Sequence, residues 1–165
     1  MITYVDGDIL ESQLHSIAIP VNVVGVMGAG LARQFAKKYS DLVHVYRGMC
    51  HSSELTPATP AYIPPSNVLY PHPGVLFFPT KKHYRDPSVF ADIKFGLNYA
   101  ATCIRNGIWK VPSLAIPRLG CGLGGLDWPH VRDAIVESFG ELDMDIHVYS
   151  AEDVCKRNLE RKKYE

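Results

Sequence analysis

Three segments of the chain combine glycines or polar side chains in patterns that could bind a phosphate or act on a sugar. The first is residues 22–32, NVVGVMGAGLA, in which Gly28 and Gly30 flank the start of a predicted helix. Free N–H groups and the helix dipole at such a start attract anions. A glycine turn before a helix is also an ordinary structural feature, and the run matches neither the dinucleotide-binding fingerprint nor a Walker loop. Taken alone, this segment leaves both interpretations open.

The second segment is residues 120–128, GCGLGGLDW, which again falls between a predicted strand and a predicted helix. Glycines let a backbone approach a ligand closely or adopt positive φ, although a flexible turn would have the same composition. Two such loops in one small domain favour a diphosphate site more strongly than either does alone. Cys121 has no evident His or Asn partner, which favours a small residue packed beneath the loop over a nucleophile. Asp127 is interpreted as a helix cap rather than a catalytic acid.

The third segment is residues 77–85, FFPTKKHYR, where polar and cationic side chains directly follow an apolar strand. One interpretation is a solvated basic loop. The other places the amine of Lys81, the imidazole of His83 and the guanidinium of Arg85 at the rim of the same cleft. Neighbouring cations favour an unprotonated amine, which could attack the C1 carbon of a sugar. A bound pyrophosphate would instead favour the protonated amine, so the sequence leaves the protonation state of Lys81 open.

Two further polar residues lie in or after strands. Asn22 interrupts an apolar run, and a buried amide there must either hold the backbone or face a ligand hydroxyl. Asp8 follows the first strand in an Asp-Gly-Asp turn, where its carboxylate could cap the turn or accept a hydrogen bond from an adenine amino group. The histidines are scattered without paired spacing, and we predict neither a metal site nor a bound cofactor.

Length and composition predict one globular domain in the cytoplasm. The chain has 165 residues, and its 17 Lys+Arg balance 17 Asp+Glu, so the net charge argues for neither a nucleic acid nor a membrane partner. None of the four cysteines lies in a CxxC pair or a metal-ligand spacing, which predicts reduced thiols. The first residues lack the features of a signal peptide, and no segment is long enough to span a bilayer.

Apolar runs of strand length alternate with stretches of helical period, which predicts an α/β fold with helices on both faces of a mostly parallel or mixed sheet. Strands are predicted at 2–5, 17–24, 75–78, 114–116 and 146–149, with one edge strand near Tyr62. Helices are predicted over 28–39, over 88–105 with Ser88 as N-cap, and over 131–139 with Asp127 as N-cap. Residues 51–74, which contain six prolines, are expected to form an irregular connection.

The order of these motifs resembles the macrodomain family. The resemblance rests on Gly-Asp-Ile after the first strand, Asn22 within the second, and the runs MGAGLA, PTKK and PRLGCGLGGLDW, and it covers about residues 1–150. Within the family it is most similar to the branch of the DarG-type DNA ADP-ribosyl glycohydrolases and the terminal ADP-ribose glycohydrolase. The resemblance implies a three-layer α/β/α macrodomain sandwich with a mixed, mostly parallel six-stranded sheet. Residues 151–165 would be a charged C-terminal tail or helix.

The resemblance also implies roles for individual residues in binding ADP-ribose. Asp8 would hold the adenine amino group, Ile9 would donate a backbone N–H, and Asn22 would contact and orient the distal ribose. Lys81 falls at the position of the catalytic lysine of this branch. The remaining residues implied to line the ligand are Gly28, Ala29, Gly30, Leu31, Thr80, Gly120, Cys121, Gly122, Leu123 and Gly124.

The activity that the resemblance implies is hydrolysis of the bond between ADP-ribose and a modified target. The terminal ADP-ribose glycohydrolase carries an aspartate where this chain has Gly124, which favours the DNA-directed branch, whose members remove ADP-ribose from thymidine in single-stranded DNA. Implied partners are the ADP-ribosylated substrate, single-stranded DNA at the basic run 81–85, and a cognate ADP-ribosyltransferase toxin. The alternatives are a non-catalytic reader of ADP-ribose and a phosphatase acting on ADP-ribose 1″-phosphate.

Overall fold

A computed structural model describes residues 1–154 of the chain, in which one six-stranded sheet lies between two layers of helices. The strands are β1 (Ile2–Val5), β2 (Ser16–Asn22), β3 (Ala61–Ile63), β4 (Gly74–Lys81), β5 (Ser113–Ile116) and β6 (Asp145–Tyr149). The helices are α1 (Gly30–Lys38), α2 (Asp41–His51), α3 (Phe90–Arg105) and α4 (Trp128–Phe139), with a short 3-10 helix at Ile9–Glu11. The predicted three-layer α/β architecture is confirmed.

The strand order β1-β6-β5-β2-β4-β3 brings the polar segments of the sequence to one edge of the sheet. All neighbouring strands are parallel except β3, which pairs antiparallel with β4. The sheet is therefore mixed and mostly parallel, as predicted. Because parallel strands end at the same edge, the loops after β1, β2, β4 and β5 meet there.

Successive residues of β4 pack into the two different layers. Phe77 faces α1 and α2 and makes an edge-to-face contact with Phe35, with ring centroids 5.9 Å apart. Phe78 faces α3 and α4 in the other apolar cluster. A Cβ placed on Gly96 would lie 2.8 Å from the Phe78 ring, so glycine is what lets α3 approach the sheet. Both rings are fully buried, which ties the end of β4 firmly to the core.

Two of the predicted helix N-caps differ in the structure from their predicted roles. The prediction that Ser88 is an N-cap is wrong: α3 begins at Phe90 after Val89, and Ser88 is buried with its N–H donating to the Gly124 carbonyl at 3.0 Å. Asp127 does occupy the N-cap position of α4, but its carboxylate caps no N–H group. It lies instead 3.5 Å from the His130 ring.

Helix α2 is absent from the elements predicted from the sequence, and the second strand is shorter than predicted. Residues 41–51 contain two valines and a glycine, which favour a helix only weakly, but Leu42 and Tyr46 bury one face of α2 against the sheet. The second strand ends at Asn22 rather than at residue 24. Its pairing with β4 shifts register between Val21 and Asn22, directly before this end. The edge strand near Tyr62 is confirmed as β3.

The region 51–74 is largely irregular apart from β3, as its prolines indicate. Residues 151–154 form a helical turn, and the rest of the tail predicted for 151–165 lies outside the described residues. Cys50, Cys103 and Cys121 are free thiols, while Cys155 lies outside the described residues. Within residues 1–154, none of the helices combines the length and the apolar character of a membrane span. In the same residues, no group of three His, Cys, Asp or Glu side chains is placed to hold a metal ion.

Candidate active site

A cleft of about 500 Å³ opens at the carboxyl edge of the sheet, a volume typical of small-molecule sites. One wall is the first glycine loop, residues 23–29, with the start of α1. The opposite wall is the second glycine loop, residues 117–127. The lining residues are Pro20, Val21, Asn22, Val26, Gly28, Ala29, Gly30, Leu31, Ala32, Thr80, Lys81, Tyr84, Pro117, Arg118, Gly120, Gly122, Leu123 and Gly124.

The first wall presents free backbone donors. The earliest hydrogen bond of α1 runs from the Arg33 N–H to the Ala29 carbonyl, at 3.2 Å. The N–H groups of Gly30, Leu31 and Ala32 have no acceptor within residues 1–154. Such orphan donors at a helix start, reinforced by the helix dipole, bind phosphate oxygens. Gly30 itself has φ +57, a conformation that glycine adopts without strain.

The second wall presents a matching set. The turn is built by bonds from Cys121 N–H to the Arg118 carbonyl and from Gly125 N–H to the Gly122 carbonyl. In the part of the chain that the structure describes, the N–H groups of Gly122, Leu123 and Gly124 donate to no protein acceptor. Unpaired donors therefore stand on both walls of one cleft, an arrangement that suits a ligand with two phosphate groups.

Asn22 holds the first glycine loop in place. Its Oδ1 accepts the N–H groups of Val24 and Val26, and its Nδ2 donates to the Val26 carbonyl at 2.7 Å. The buried Tyr46 hydroxyl donates to the Asn22 backbone and side-chain oxygens at 2.7 and 2.9 Å, and burial raises the pKa of that phenol far above its ordinary value. The backbone-holding role is thus observed. The second Nδ2 hydrogen is the part of the amide left for a ligand.

Lys81 lies at the end of β4, directly opposite Asn22 in the register of the two strands. Its Nζ is 3.4 Å from the Tyr84 carbonyl oxygen. Among the residues lining the cleft, Lys81 and Arg118 are the ones with charged side chains, so the cleft favours an anion. Arg118 lies 5.3 Å from the Trp128 ring and 3.7 Å from the Glu152 carboxylate.

Three of the sequence-predicted site residues do not line the cleft. Asp8 and Ile9 lie beyond β1 on the same sheet edge, where the Asp8 carboxylate caps the 3-10 helix by accepting the Leu10 N–H at 2.9 Å. Cys121 turns its thiol away to donate to the Leu119 carbonyl at 3.3 Å. Burial raises the pKa of that thiol, which disfavours a thiolate nucleophile and supports the packing interpretation.

The structure also adds lining residues that sequence reasoning missed. Tyr84 belongs to the cationic run singled out above, and Arg118 directly follows β5, so their positions after strands were available signals. Pro20 and Val21 form part of the lining from within β2, where nothing in the sequence separates them from other strand residues. The other additions are Val26, Ala32 and Pro117.

A buried carboxylate fastens the chain after β6 to the helix that follows the second glycine loop. Asp153 accepts hydrogen bonds from Trp128 Nε1 at 2.8 Å, from Ser150 Oγ at 2.9 Å and from Arg132 Nη1 at 2.9 Å. Burial alone would raise the pKa of Asp153, but these donors together outweigh it and the pKa is lowered. Because Trp128 begins α4, this network fixes where the second loop ends.

Replacing Asp153 with Ala is expected to destabilise the protein by about 2–3 kcal/mol, because three donors lose their shared acceptor. Since the folded pKa lies below the unfolded one, the stabilisation is present above about pH 4 and is lost as the pH falls through the folded pKa. Urea unfolding at pH 7 and pH 3 measures both effects. The control is Glu137→Ala, which removes only an exposed ion pair with Lys94 at 3.9 Å. Equal losses at both pH values would contradict this role.

No protein-family model matches the chain, but individual proteins do. The structure of the macrodomain of Mycobacterium tuberculosis DarG is similar to this one, with a TM-score of 0.81 and 38% identity over 90% of this chain and 97% of that one. The chain belongs to the macrodomain family.

Two further proteins are similar to this chain. The chain is 38% identical over 150 residues to a DNA ADP-ribosyl glycohydrolase of M. tuberculosis, a match covering 90% of this chain and 42% of that protein. It thus spans less than half the length of that relative. The structure of Thermosipho africanus DarTG in complex with ADP-ribose matches with a TM-score of 0.83 and 30% identity, over 92% of this chain and 42% of that one.

Proposed function

We propose that the protein binds ADP-ribose in the cleft and hydrolyses its bond to thymidine in DNA. The observation that carries the proposal is the position of Lys81, which lines the same cleft as two facing sets of unpaired backbone donors. A diphosphate held by both walls would leave the adjoining ribose beside Asn22 and Lys81. The names of the relatives, DNA ADP-ribosyl glycohydrolase among them, support the same activity.

The glycine walls supply binding and orientation. The unpaired N–H groups of Gly30 and Leu31 face the diphosphate from one side, and those of Gly122 and Leu123 from the other. The positive charge of Arg118 adds to the attraction. Fixing the diphosphate places the C1 carbon of the distal ribose at one position, and such positioning supplies a large share of the rate enhancement of enzymes.

Lys81 would act on that C1 carbon in one of two ways. As a nucleophile, its unprotonated amine attacks C1, and the base leaves with the electron pair and takes up the amine proton. Water then attacks C1, returns its proton to the amine and releases ADP-ribose. As an ammonium, Lys81 instead neutralises the charge that develops on the departing base while water attacks directly. Borohydride trapping of a lysine–ribose adduct, detected by mass spectrometry, supports the first course, and its absence with active protein supports the second.

Gly124 separates this proposal from a mechanism that pairs the lysine with an aspartate. A Cβ at residue 124 would lie 2.2 Å from Ser88 Oγ and 2.5 Å from the Gly120 carbonyl oxygen. An aspartate therefore does not fit there unless the loop moves. Lys81 would accordingly work without a carboxylate from the second loop, which is consistent with the DNA-directed branch.

The test is a side-by-side panel of conjugates assayed for release of ADP-ribose or phosphate. It comprises ADP-ribose on thymidine in an oligonucleotide, on guanosine, on glutamate and on serine, together with ADP-ribose 1″-phosphate. Fastest release from the thymidine conjugate is expected. Binding of ADP-ribose without any release would indicate a reader, and phosphate release that does not depend on Lys81 would indicate a phosphatase. Either result would overturn the proposal.

The domain organisation, the cellular compartment and the partners of the protein are also part of the proposed function. We propose that residues 1–150 form the macrodomain, that residues 151–165 form a charged C-terminal tail or helix, and that the protein acts in the cytoplasm. The proposed partners are single-stranded DNA and a cognate ADP-ribosyltransferase, the latter suggested by a relative named as a fusion of the transferase and the glycohydrolase. Joint purification of the protein with a transferase encoded beside it tests the second partner.

A further inference from the structure

An exposed aromatic cluster stands at the Lys81 end of the cleft. Tyr84 lines the cleft while 45% of its surface remains exposed, so its ring is open to a ligand. The His83 ring lies against it with centroids 4.1 Å apart and planes tilted by 32°. The Arg85 guanidinium is 5.6 Å from the Tyr84 centroid. Three consecutive flat groups thus lie together, and the central one, Tyr84, lines the cleft.

Backbone hydrogen bonds hold this cluster in shape. His83 Nδ1 accepts the Arg85 N–H at 3.1 Å, and the His83 carbonyl accepts the Asp86 N–H at 3.0 Å. The Tyr84 carbonyl in turn accepts a hydrogen bond from Lys81 Nζ at 3.4 Å. A platform that is already ordered loses little conformational entropy when a flat ligand stacks on it. Residues 81–87 contain three cationic side chains and one carboxylate, that of Asp86, so this segment carries a net positive charge.

We propose that Tyr84, supported by His83, is the platform on which the nucleobase joined to ADP-ribose stacks, so that Tyr84 determines the preference for nucleic-acid conjugates. This inference rests on the proposed function. The proposed function places C1 of the distal ribose beside Lys81, and Lys81 Nζ lies 3.4 Å from the Tyr84 carbonyl oxygen. Because both residues line the same cleft, the group joined to C1 would lie beside Tyr84.

The chemistry of the cluster suits a base in single-stranded nucleic acid. Stacking on an aromatic side chain accepts any base, because every base has a π-face, and a nearby cation reinforces it. Arg85 lies over the ring, and Lys82 is an exposed lysine two residues before Tyr84 in the sequence, so both can neutralise adjacent phosphates. An amino-acid conjugate of ADP-ribose would have no flat group to place on Tyr84 and would gain nothing from it.

The experiment compares affinities for two probes, free ADP-ribose and an oligonucleotide carrying ADP-ribosylated thymidine, in a Lys81→Ala background that suppresses turnover. Tyr84→Ala is expected to weaken binding of the oligonucleotide conjugate at least about tenfold, while affinity for free ADP-ribose changes less than about twofold. Tyr84→Phe keeps the ring and should bind both probes as the parent does. The matched control is Tyr70→Ala, an exposed tyrosine outside the cleft.

Three outcomes would overturn the assignment: no effect of Tyr84→Ala on either probe, an equal loss for both, or a Tyr84→Phe variant as weak as Tyr84→Ala. The first removes Tyr84 from recognition, the second places it in the ADP-ribose pocket, and the third assigns the effect to the hydroxyl. If protein with Lys81 intact releases nothing from the conjugate, the proposed hydrolysis fails. The binding comparison then runs with Lys81 intact and still decides the role of Tyr84.

Discussion

Replacing Lys81 with Ala is expected to lower the rate of ADP-ribose release from the thymidine conjugate by about 10²–10⁴-fold, the range that a positioned acid, base or nucleophile contributes. Lys81 lies opposite Asn22 across β2 and β4, where the proposed ligand places its reacting carbon. Affinity for free ADP-ribose should fall by less than about tenfold, since the glycine walls remain intact. Single-turnover kinetics, together with calorimetric binding, measure the two effects separately.

The control for this prediction is Lys94→Ala, which removes an exposed lysine of α3 whose nearest carboxylate is Glu137 at 3.9 Å. It should leave the rate and the affinity unchanged. Equal rates for Lys81→Ala and wild type would remove Lys81 from the mechanism. A loss of affinity as large as the loss of rate would make Lys81 a binding residue alone.

Adding one methyl group to Gly124 is expected to weaken ADP-ribose binding by about ten- to a hundredfold. The new Cβ would lie 2.2 Å from Ser88 Oγ and 2.5 Å from the Gly120 carbonyl oxygen, so the second glycine loop must move. Overpacking of this kind costs about 1–3 kcal/mol. The displacement falls on the amides of Gly122 and Leu123, which the proposed diphosphate needs. Calorimetric titration of Gly124→Ala with ADP-ribose measures the loss.

Gly48→Ala is the matched control, because a Cβ on that helical glycine of α2 meets nothing within 4 Å. It should bind ADP-ribose as wild type does and be slightly more stable, since alanine favours a helix. Thermal unfolding of both variants separates a displaced loop from a protein that no longer folds. Wild-type affinity in a folded Gly124→Ala variant would show that the second loop does not contact the ligand.

Much of the fold could be predicted because most elements have a clear local pattern. β2, β4 and β5 contain apolar runs at least three residues long, β1 and β6 are rich in β-branched and aromatic residues, and the short β3 is predicted near Tyr62. Helix α2 could not be predicted from the sequence because its valines and Gly48 favour a helix only weakly. Its burial against the sheet is what makes it helical. Ser88 was misjudged because it is a good capping residue by type, whereas in the fold it packs beneath the second glycine loop.

Some features of the candidate site follow from local sequence patterns, whereas others depend on contacts between residues that are distant in the chain. The two glycine loops and Lys81 follow strand ends, and the rule that ligands bind there brings them together without coordinates. Which donors are unpaired, how Tyr46 reaches Asn22, and how Asp153 fixes α4 all depend on contacts between distant parts of the chain. The buried Ser88 Oγ, which has no hydrogen-bond partner in the described structure, is likewise invisible to sequence patterns.

The most direct test of the central claim is to follow every backbone amide by NMR while ADP-ribose is added. We expect the largest shifts at Gly30, Leu31 and Ala32 in one wall and at Gly122 to Gly124 in the other, and both sets should saturate together. A second cavity at the opposite edge of the sheet, lined by His15 and Trp109 among others, serves as an internal reference. Shifts concentrated in that cavity, or confined to a single glycine loop, would contradict the claim that two facing walls hold the diphosphate.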